Sequence, residues 1–264
     1  MRKLKPKKFF GQHFLNDNEI AVRIIRKIDL NNIETIVEVG PGMGVLTKHI
    51  IKIKKHLVFV EIDDDAVTYL KEKYSEISNL ILNHDFLKLD IQKFKCPIAI
   101  VGNFPYNISS QIVFKILKNR NYVNQMVGMF QKEVAERICS KPGSKVYGIL
   151  SVLTQAFFVT DFLFSLKPSF FDPPPKVESA VVKFSRNEIK HLKCNEDLFF
   201  KIVKKSFQQR RKTIKNSLKA FNLPKITKEH VIFERRPETL NVEDFVLLTN
   251  IIENGTVPTY RRIN

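Results

Sequence analysis

The chain has 264 residues, 44% of them apolar, enough for one large or two modest domains with a sizeable core. No run of about 18 apolar residues occurs, so no membrane span is indicated, and the basic N-terminus Met1-Arg-Lys-Leu-Lys-Pro-Lys-Lys-Phe-Phe10 lacks the apolar region of a secretory signal. Lys and Arg outnumber Asp and Glu 44 to 27, and the resulting +17 suits a polyanionic partner. Abundant Lys, Ile, Asn and Phe show that a lysine-rich background contributes to this total, so clustering is the better guide. Cys96, Cys139 and Cys194 are odd in number and widely spaced, and the six His show no ligand spacing. Neither a disulfide framework nor a metal site is expected; buried, reduced thiols of a cytoplasmic protein are the simplest reading.

Residues 2–8 carry five basic residues and no acid. The segment Gly11-Gln-His-Phe-Leu-Asn-Asp17 follows, and Asn16 or Asp17 caps a predicted helix running to about Ile28, with Ile20, Ile24, Ile25 and Ile28 on one face. Phe14 and Leu15 are placed to anchor the arm on the core. Residues 34–47 read as a strand, a Gly-rich turn and a helix start. Gly40, Gly42 and Gly44 allow a tight turn and close approach of a ligand to the backbone. The spacing is G-x-G-x-G, not the dinucleotide fingerprint G-x-G-x-x-G. Glu38, two residues before Gly40, disfavours a pyrophosphate and suits a ligand with a cationic amino-acid end, such as S-adenosylmethionine (SAM).

The second predicted strand, His56 to Ile62, contains Glu61 at its end, about twenty residues after the glycines, where a carboxylate can take ribose hydroxyls. The alternative is a solvated strand end. A third strand begins at Leu80 and exits through Asp85, which is placed to accept from the amino group of an adenine, or else to cap a turn. A fourth, Pro97 to Val101, leads into Asn103-Phe-Pro-Tyr106. That stretch combines an amide, a rigid Pro and an aromatic ring just past the carboxyl end of a buried strand, and it suits a flat, amine-bearing substrate. An ordinary turn is the plainer alternative. A helix over 110–118, a strand over 125–130, a helix over 132–138, a loop to Tyr147 and a core helix over 147–157 are expected next. The β-α alternation predicts a mostly parallel sheet with helices on both faces.

The segments 161–166 and 179–184 are expected to close the sheet as an antiparallel pair. Between them the prolines of Phe170-Phe-Asp-Pro-Pro-Pro-Lys-Val-Glu-Ser179 stiffen a loop able to hold Phe171 as one wall of a slot; otherwise Phe171 packs on its own domain. From about 186 the strand signals cease. Residues 204–219 hold seven basic residues and no acid, either a polyanion-binding face or a solvated helix face. Leu223-Pro224 ends that segment, and 242–252 makes a last amphipathic helix. The expected domains are therefore 1–185 and a small helical domain over 186–264.

The ordered set Gly11-Gln-His-Phe-Leu15, Glu38-Val-Gly-Pro-Gly42, Glu61, Asp85, Asn103-Phe-Pro-Tyr106, Phe171-Asp-Pro-Pro-Pro-Lys-Val177 and Gln209-Arg-Arg-Lys212 spans nearly the whole chain. It resembles the KsgA-type small-subunit rRNA adenine dimethyltransferase family. Related Erm enzymes match the first half and the Pro-rich loop better than the later segments. The resemblance implies a Rossmann-like class I SAM-dependent methyltransferase fold with a small all-helical C-terminal domain. It implies SAM as methyl donor without a metal, and N6,N6-dimethylation of two adjacent adenosines near the 3′ end of 16S rRNA.

The partner so implied is small-subunit rRNA in a 30S precursor particle, met by a monomer in the cytoplasm. Asn103, Tyr106 and Phe171 are the expected catalytic residues. His13, Leu15, Glu38, Gly40, Gly42, Glu61, Asp85 and Asn103 are expected around the cofactor, and Lys7, Lys8, Arg210, Arg211 and Lys212 on the RNA. Two positions depart from the family pattern: His13 stands where Asn is usual, and Phe104 where Leu is usual. A non-catalytic RNA-binding assembly factor is the alternative from another class, but it would not require Glu61, Asp85 and Asn103 together. A DNA adenine methyltransferase is disfavoured by the match in the C-terminal region.

Overall fold

The computed structural model describes residues 4–221, 223 and 230–255. Arg2 and Lys3 of the basic arm, the side chain of Lys8 and the expected helix breaker Pro224 lie outside the described residues. A two-residue strand β1 (Phe14–Leu15) precedes helix α1 (Asn18–Ile25). Asp17 is the N-cap, its side chain accepting from the Ile20 N–H at 2.9 Å. The helix ends at Ile25 instead of Ile28 because the chain tightens there into i→i+3 bonds, Lys27 N to Ile24 O and Ile28 N to Ile25 O. Ile20, Ile24 and Ile28 are buried all the same.

The chain then alternates through β2 (Thr35–Val39), α2 (Thr47–Ile50), β3 (His56–Glu61), α3 (Asp64–Lys73), β4 (Ile81–Asn83), β5 (Ile98–Asn103), α4 (Ser109–Lys118) and β6 (Val123–Gln131). Every residue of β2 is buried, as is common in a parallel strand covered on both faces. Helix α5 (Lys132–Cys139), helix α6 (Ile149–Gln155), β7 (Phe158–Leu166), β8 (Phe171–Asp172) and β9 (Ser179–Arg186) follow.

The strands β4-β3-β2-β5-β6 pair in parallel, and β9 adds antiparallel to β6, with Gln131 opposite Ser179. β7 lies beyond β9 at the edge of the seven-stranded sheet. Strand order reverses between β2 and β5, so the carboxyl ends of these two strands flank the topological switch point where α/β sheets bind ligands. A separate two-stranded sheet joins β1 to β8, with Phe14 opposite Asp172 and Leu15 opposite Phe171.

Contacts divide the chain into one unit of Met1–Ala135 with Val159–Arg186 and another of Glu136–Phe158 with Asn187–Asn264. Residues 136–158, expected in the first domain, thus cluster with the C-terminal residues. The reason is apolar surface. In α6 Leu150, Val152 and Leu153 are buried together with Ser151 and Thr154, leaving the helix little polar face. Around it, Tyr147 and Phe157 put their rings against Phe207 and Phe200 of α7 (Glu196–Gln208) at 6.1 and 6.3 Å between centroids.

The second unit continues with α8 (Ile214–Ser217) and α9 (Val242–Asn254). Asn195 caps α7, and Asn241 and Asp244 form a reciprocal capping box at α9. Described residues from 187 onward form helices and turns. The cysteines depart from the expectation of burial: Cys96 is exposed, and Cys139 and Cys194 are half-buried.

Candidate active site

A cavity opens in the first unit at the switch point. Its lining comes from the N-terminal arm (Phe10 to Phe14), the turn after β2 (Gly40, Gly42), the end of β3 (Glu61, Ile62), the loop after β4 (His84 to Leu87) and the turn after β5 (Asn103 to Ile108). His13, Gly40, Gly42, Glu61, Asp85, Asn103 and Tyr106, all expected from the sequence, therefore meet here.

Gly42 adopts φ +55°, a backbone that favours glycine, and a Cβ there would lie 2.8 Å from the Phe14 ring. Its bare backbone N–H donates to Glu61 Oε2 at 3.0 Å, while the Ile62 and Asp63 N–H groups donate to Oε1 at 2.9 and 3.0 Å. Burial raises the Glu61 carboxyl above its ordinary range, against the pull of these three amides. Three of its roughly four acceptor positions are engaged, which fixes the carboxylate beside the Gly-rich turn.

Glu38 is 1% exposed and lies in a smaller recess with Leu15, Gly40 and Asn103, beside the main cavity and not in it. Its Oε2 accepts from Thr47 Oγ1 at 2.7 Å. Burial pushes its carboxyl up to about 8, with the Thr47 bond opposing.

Asp85 uses one oxygen, Oδ1, to accept from the Leu87 N–H at 2.9 Å. The loop behind it is pinned by Lys115 of α4, whose Nζ donates to the carbonyls of Leu87 at 3.0 Å and Leu89 at 2.6 Å. Lys115 also lies 5.5 Å from the centre of the Phe86 ring. This support comes from a helix thirty residues downstream of the loop, and no local pattern announces it.

The turn after β5 is built around Asn103. Its Nδ2 donates to the His13 carbonyl at 2.6 Å, and its Oδ1 has no partner among the described residues. The His13 ring stacks on Tyr106 at 5.5 Å with a 28° interplanar angle, and its Nδ1 lies 2.7 Å from the Pro173 carbonyl, so Nδ1 is the protonated nitrogen. The Tyr106 hydroxyl pairs with Ser179 Oγ at 2.5 Å. Ser179, fully buried at the start of β9, has no distinguishing signal in the sequence. Phe104, the departure from Leu, is 1% exposed and packs edge-on against Phe130. A Cβ on Gly128 would meet its Cε2 at 2.1 Å, so the larger ring is accommodated by the bare backbone of β6.

Phe171 is the expected catalytic residue that the structure removes from the cavity, while Leu15 and Glu38 of the expected cofactor set lie in the smaller recess. Phe171 is 3% exposed and packs in the main core cluster with Leu15, Ile20 and Ile24. Pairing of β8 with β1 sets it opposite Leu15, both side chains facing the core. The ring that faces Tyr106 is His13, not Phe171.

The expected RNA-contacting residues also divide. Lys7 is engaged by Asp63 and Asp65 at 2.5 and 2.7 Å. In the second unit Arg210 donates to the Ser144 carbonyl at 3.1 Å, while Arg211 and Lys212 are exposed. Lys205, Lys212 and Lys219 line a recess with Gln209 and Asn216.

Similarity to known proteins covers nearly the whole chain. A family model described as ribosomal RNA adenine dimethylase matches residues 3–254. Ribosomal RNA small subunit methyltransferase A of Flavobacterium johnsoniae is 51% identical over 255 residues, covering 96% of this chain and 98% of that protein. The protein of the same name from Bacteroides thetaiotaomicron is 47% identical over 262 residues, covering 97% of each. Among solved structures, a dimethyladenosine transferase from Plasmodium falciparum aligns with TM-score 0.78 at 27% identity, covering 92% of this chain and 98% of that one. The 23S rRNA methyltransferase ErmE aligns with TM-score 0.69 at 25% identity, covering 90% and 99%. The fold is that of class I SAM-dependent methyltransferases.

Proposed function

Because the chain belongs to the ribosomal RNA adenine dimethylase family, we propose that it dimethylates N6 of two adjacent adenosines near the 3′ end of small-subunit rRNA with SAM as donor. The observation that carries this reading is the Asn103 amide. With Nδ2 donating to His13, the group offered to a ligand is Oδ1, an acceptor suited to an amino group.

The residues present fit SAM. Glu61, fixed by three backbone amides, is placed for ribose hydroxyls, and Asp85 keeps Oδ2 for an adenine amino group. The positive-φ Gly40 and Gly42 let a ligand approach the backbone. When bound, SAM supplies an electrophilic methyl carbon on a sulfonium.

Adenine N6 is a weak nucleophile because its lone pair is delocalised into the ring. Asn103 Oδ1 and a carbonyl of the 103–106 turn accept the N6 hydrogens, which favours the pyramidal nitrogen and restores its lone pair. No side-chain nucleophile is required; the site works by holding the reacting atoms in line. The target base leaves its stack at a cost of a few kcal/mol. Stacking on Tyr106, whose ring is held by Ser179, offsets this by about 1–3 kcal/mol. Solvent takes the proton released.

The substrate is small-subunit rRNA within a 30S precursor particle, engaged by the chain as a cytoplasmic monomer. Support for the small-subunit target over a large-subunit one comes from identity. Relatives named for the small subunit match at 51% and 47% across nearly the full length, against 25% for ErmE. The test is mass spectrometry of rRNA fragments from cells lacking the gene. The expected result is loss of N6,N6-dimethyladenosine near the 3′ end of small-subunit rRNA. Unchanged small-subunit rRNA would sink the reading, and a loss confined to large-subunit rRNA would reassign the substrate.

A further inference from the structure

The N-terminal arm crosses the cavity as one strip, and each end is tied down differently. Its inner end is fixed by β1–β8 pairing and by Asn103 holding the His13 carbonyl. Its outer end is fixed by Asp63, a carboxylate with 0% exposure. Asp63 Oδ1 accepts from Lys7 Nζ at 2.5 Å, and Oδ2 from Gln12 Nε2 at 2.9 Å. Gln12 Oε1 in turn accepts from the Lys7 N–H at 2.7 Å, closing a ring of three residues.

Asp63 also supports a residue that lines the cavity. Its N–H donates to Glu61 Oε1, and its side chain caps α3 by accepting from the Asp65 N–H at 3.1 Å. The same residue therefore grips the arm and braces Glu61. Lifting the arm would leave a buried anion without its cation, which is strongly unfavourable. Burial alone would push the Asp63 carboxyl up; the bonds from Lys7, Gln12 and the Asp65 amide, with the Lys7 charge, together outweigh it and hold the carboxyl below its ordinary value.

We propose that Asp63 is a positioning residue that latches the N-terminal arm across the cavity through Lys7 and Gln12, and so sets how long the methyl donor stays bound. This rests on the reading that the cavity takes SAM. Lys7, in a basic arm suited to RNA, is committed here to two carboxylates. A phosphate would have to displace both of them, so Lys7 acts on cofactor retention before it acts on RNA.

The test uses the full-length chain and tritiated SAM chased with unlabelled SAM. Lys7→Ala should speed dissociation and raise KM for SAM about three- to tenfold while leaving kcat at saturation within about twofold. Lys7→Arg, which keeps the cation, should restore both. Asp63→Asn keeps the helix cap, should release SAM as fast as Lys7→Ala, and should make a further Lys7→Ala change silent. If Lys7→Ala weakened binding to 30S precursor particles but left SAM dissociation unchanged, the latch would be overturned. If the wild-type chain failed to bind SAM at all, the cofactor reading would fall, and the latch with it.

Discussion

The side-chain amide of Asn103 and the backbone carbonyl of His13, ninety residues apart in sequence, meet at 2.6 Å. This bond fixes the orientation of the amide, with Nδ2 engaged and Oδ1 left without a partner among the described residues. Asn103→Asp keeps the shape but points oxygen at oxygen, so the arm loses its tie and the acceptor loses its fixed orientation. Single-turnover methylation by Asn103→Asp should fall at least about a hundredfold, the scale of removing one well-placed polar group from an active site. A rate within tenfold of wild type would show that the amide orientation is immaterial.

Ser179 tests whether the Tyr106 ring must be held. Ser179→Ala leaves a largely buried hydroxyl without its partner, at about 1–3 kcal/mol of stability, and frees the ring to tilt. Methylation should drop while calorimetric SAM affinity stays the same. The double variant Ser179→Ala with Tyr106→Phe should recover part of the stability, because both polar groups are then gone. A Ser179→Ala protein with unchanged thermal midpoint and turnover would dismiss this bond.

Glu38 makes stability depend on pH in an unusual direction for an acid. Its carboxyl titrates near 4.5 when exposed and is raised to about 8 in the fold, chiefly by burial. Between these values the folded chain holds a proton that the unfolded chain has lost. This contribution is complete below pH 4.5, declines as pH rises toward 8, and is gone above it, with a slope of at most about 1.4 kcal/mol per pH unit. Glu38→Gln should remove that slope, so denaturant midpoints of the two proteins should diverge across about pH 5 to 8. Parallel profiles would mean that Glu38 is already ionised in the fold.

Arg211 and Lys212 are the members of the basic run best suited to test RNA binding, since both are exposed and Arg210 is tied to Ser144. Changing both to Gln should lower the slope of log affinity for 30S precursor particles against log salt by a little under one unit for each phosphate that is no longer neutralised. SAM affinity should be unaffected, and methylation should persist at low salt. An unaltered slope would make the pair a solvated surface.

The parts of the site that were legible in the sequence are those written in local pattern. Buried strands followed by Gly40, Glu61, Asp85 and Asn103 place four groups at successive carboxyl ends, and a parallel sheet necessarily gathers those ends on one side. A proline-stiffened loop says that the Phe171 ring is held, not which way it faces; the facing follows from pairing with β1. Lys7 looked like part of a charge cluster because its partners lie 56 and 58 residues away. Residues 136–158 cluster with the C-terminal residues for a similar reason. An apolar helix such as α6 reads as core, and only its packing on α7 and α9 shows whose core it joins.

The pairing of β1 with β8 has a further consequence for the order in which the protein is made. Leu15 emerges from the ribosome early, but its strand partner Phe171 is added 156 residues later. Until then the arm has neither β8 to zip onto nor the Pro173 carbonyl to orient His13. A nascent chain stopped before residue 171 would carry the Gly-rich turn, Glu61, Asp85 and Asn103 without a closed wall beside them. Such a non-local pairing forms late because a long loop must close first. The wall that β1 and β8 build beside the cavity is therefore complete only once the residues up to Pro173 have been added.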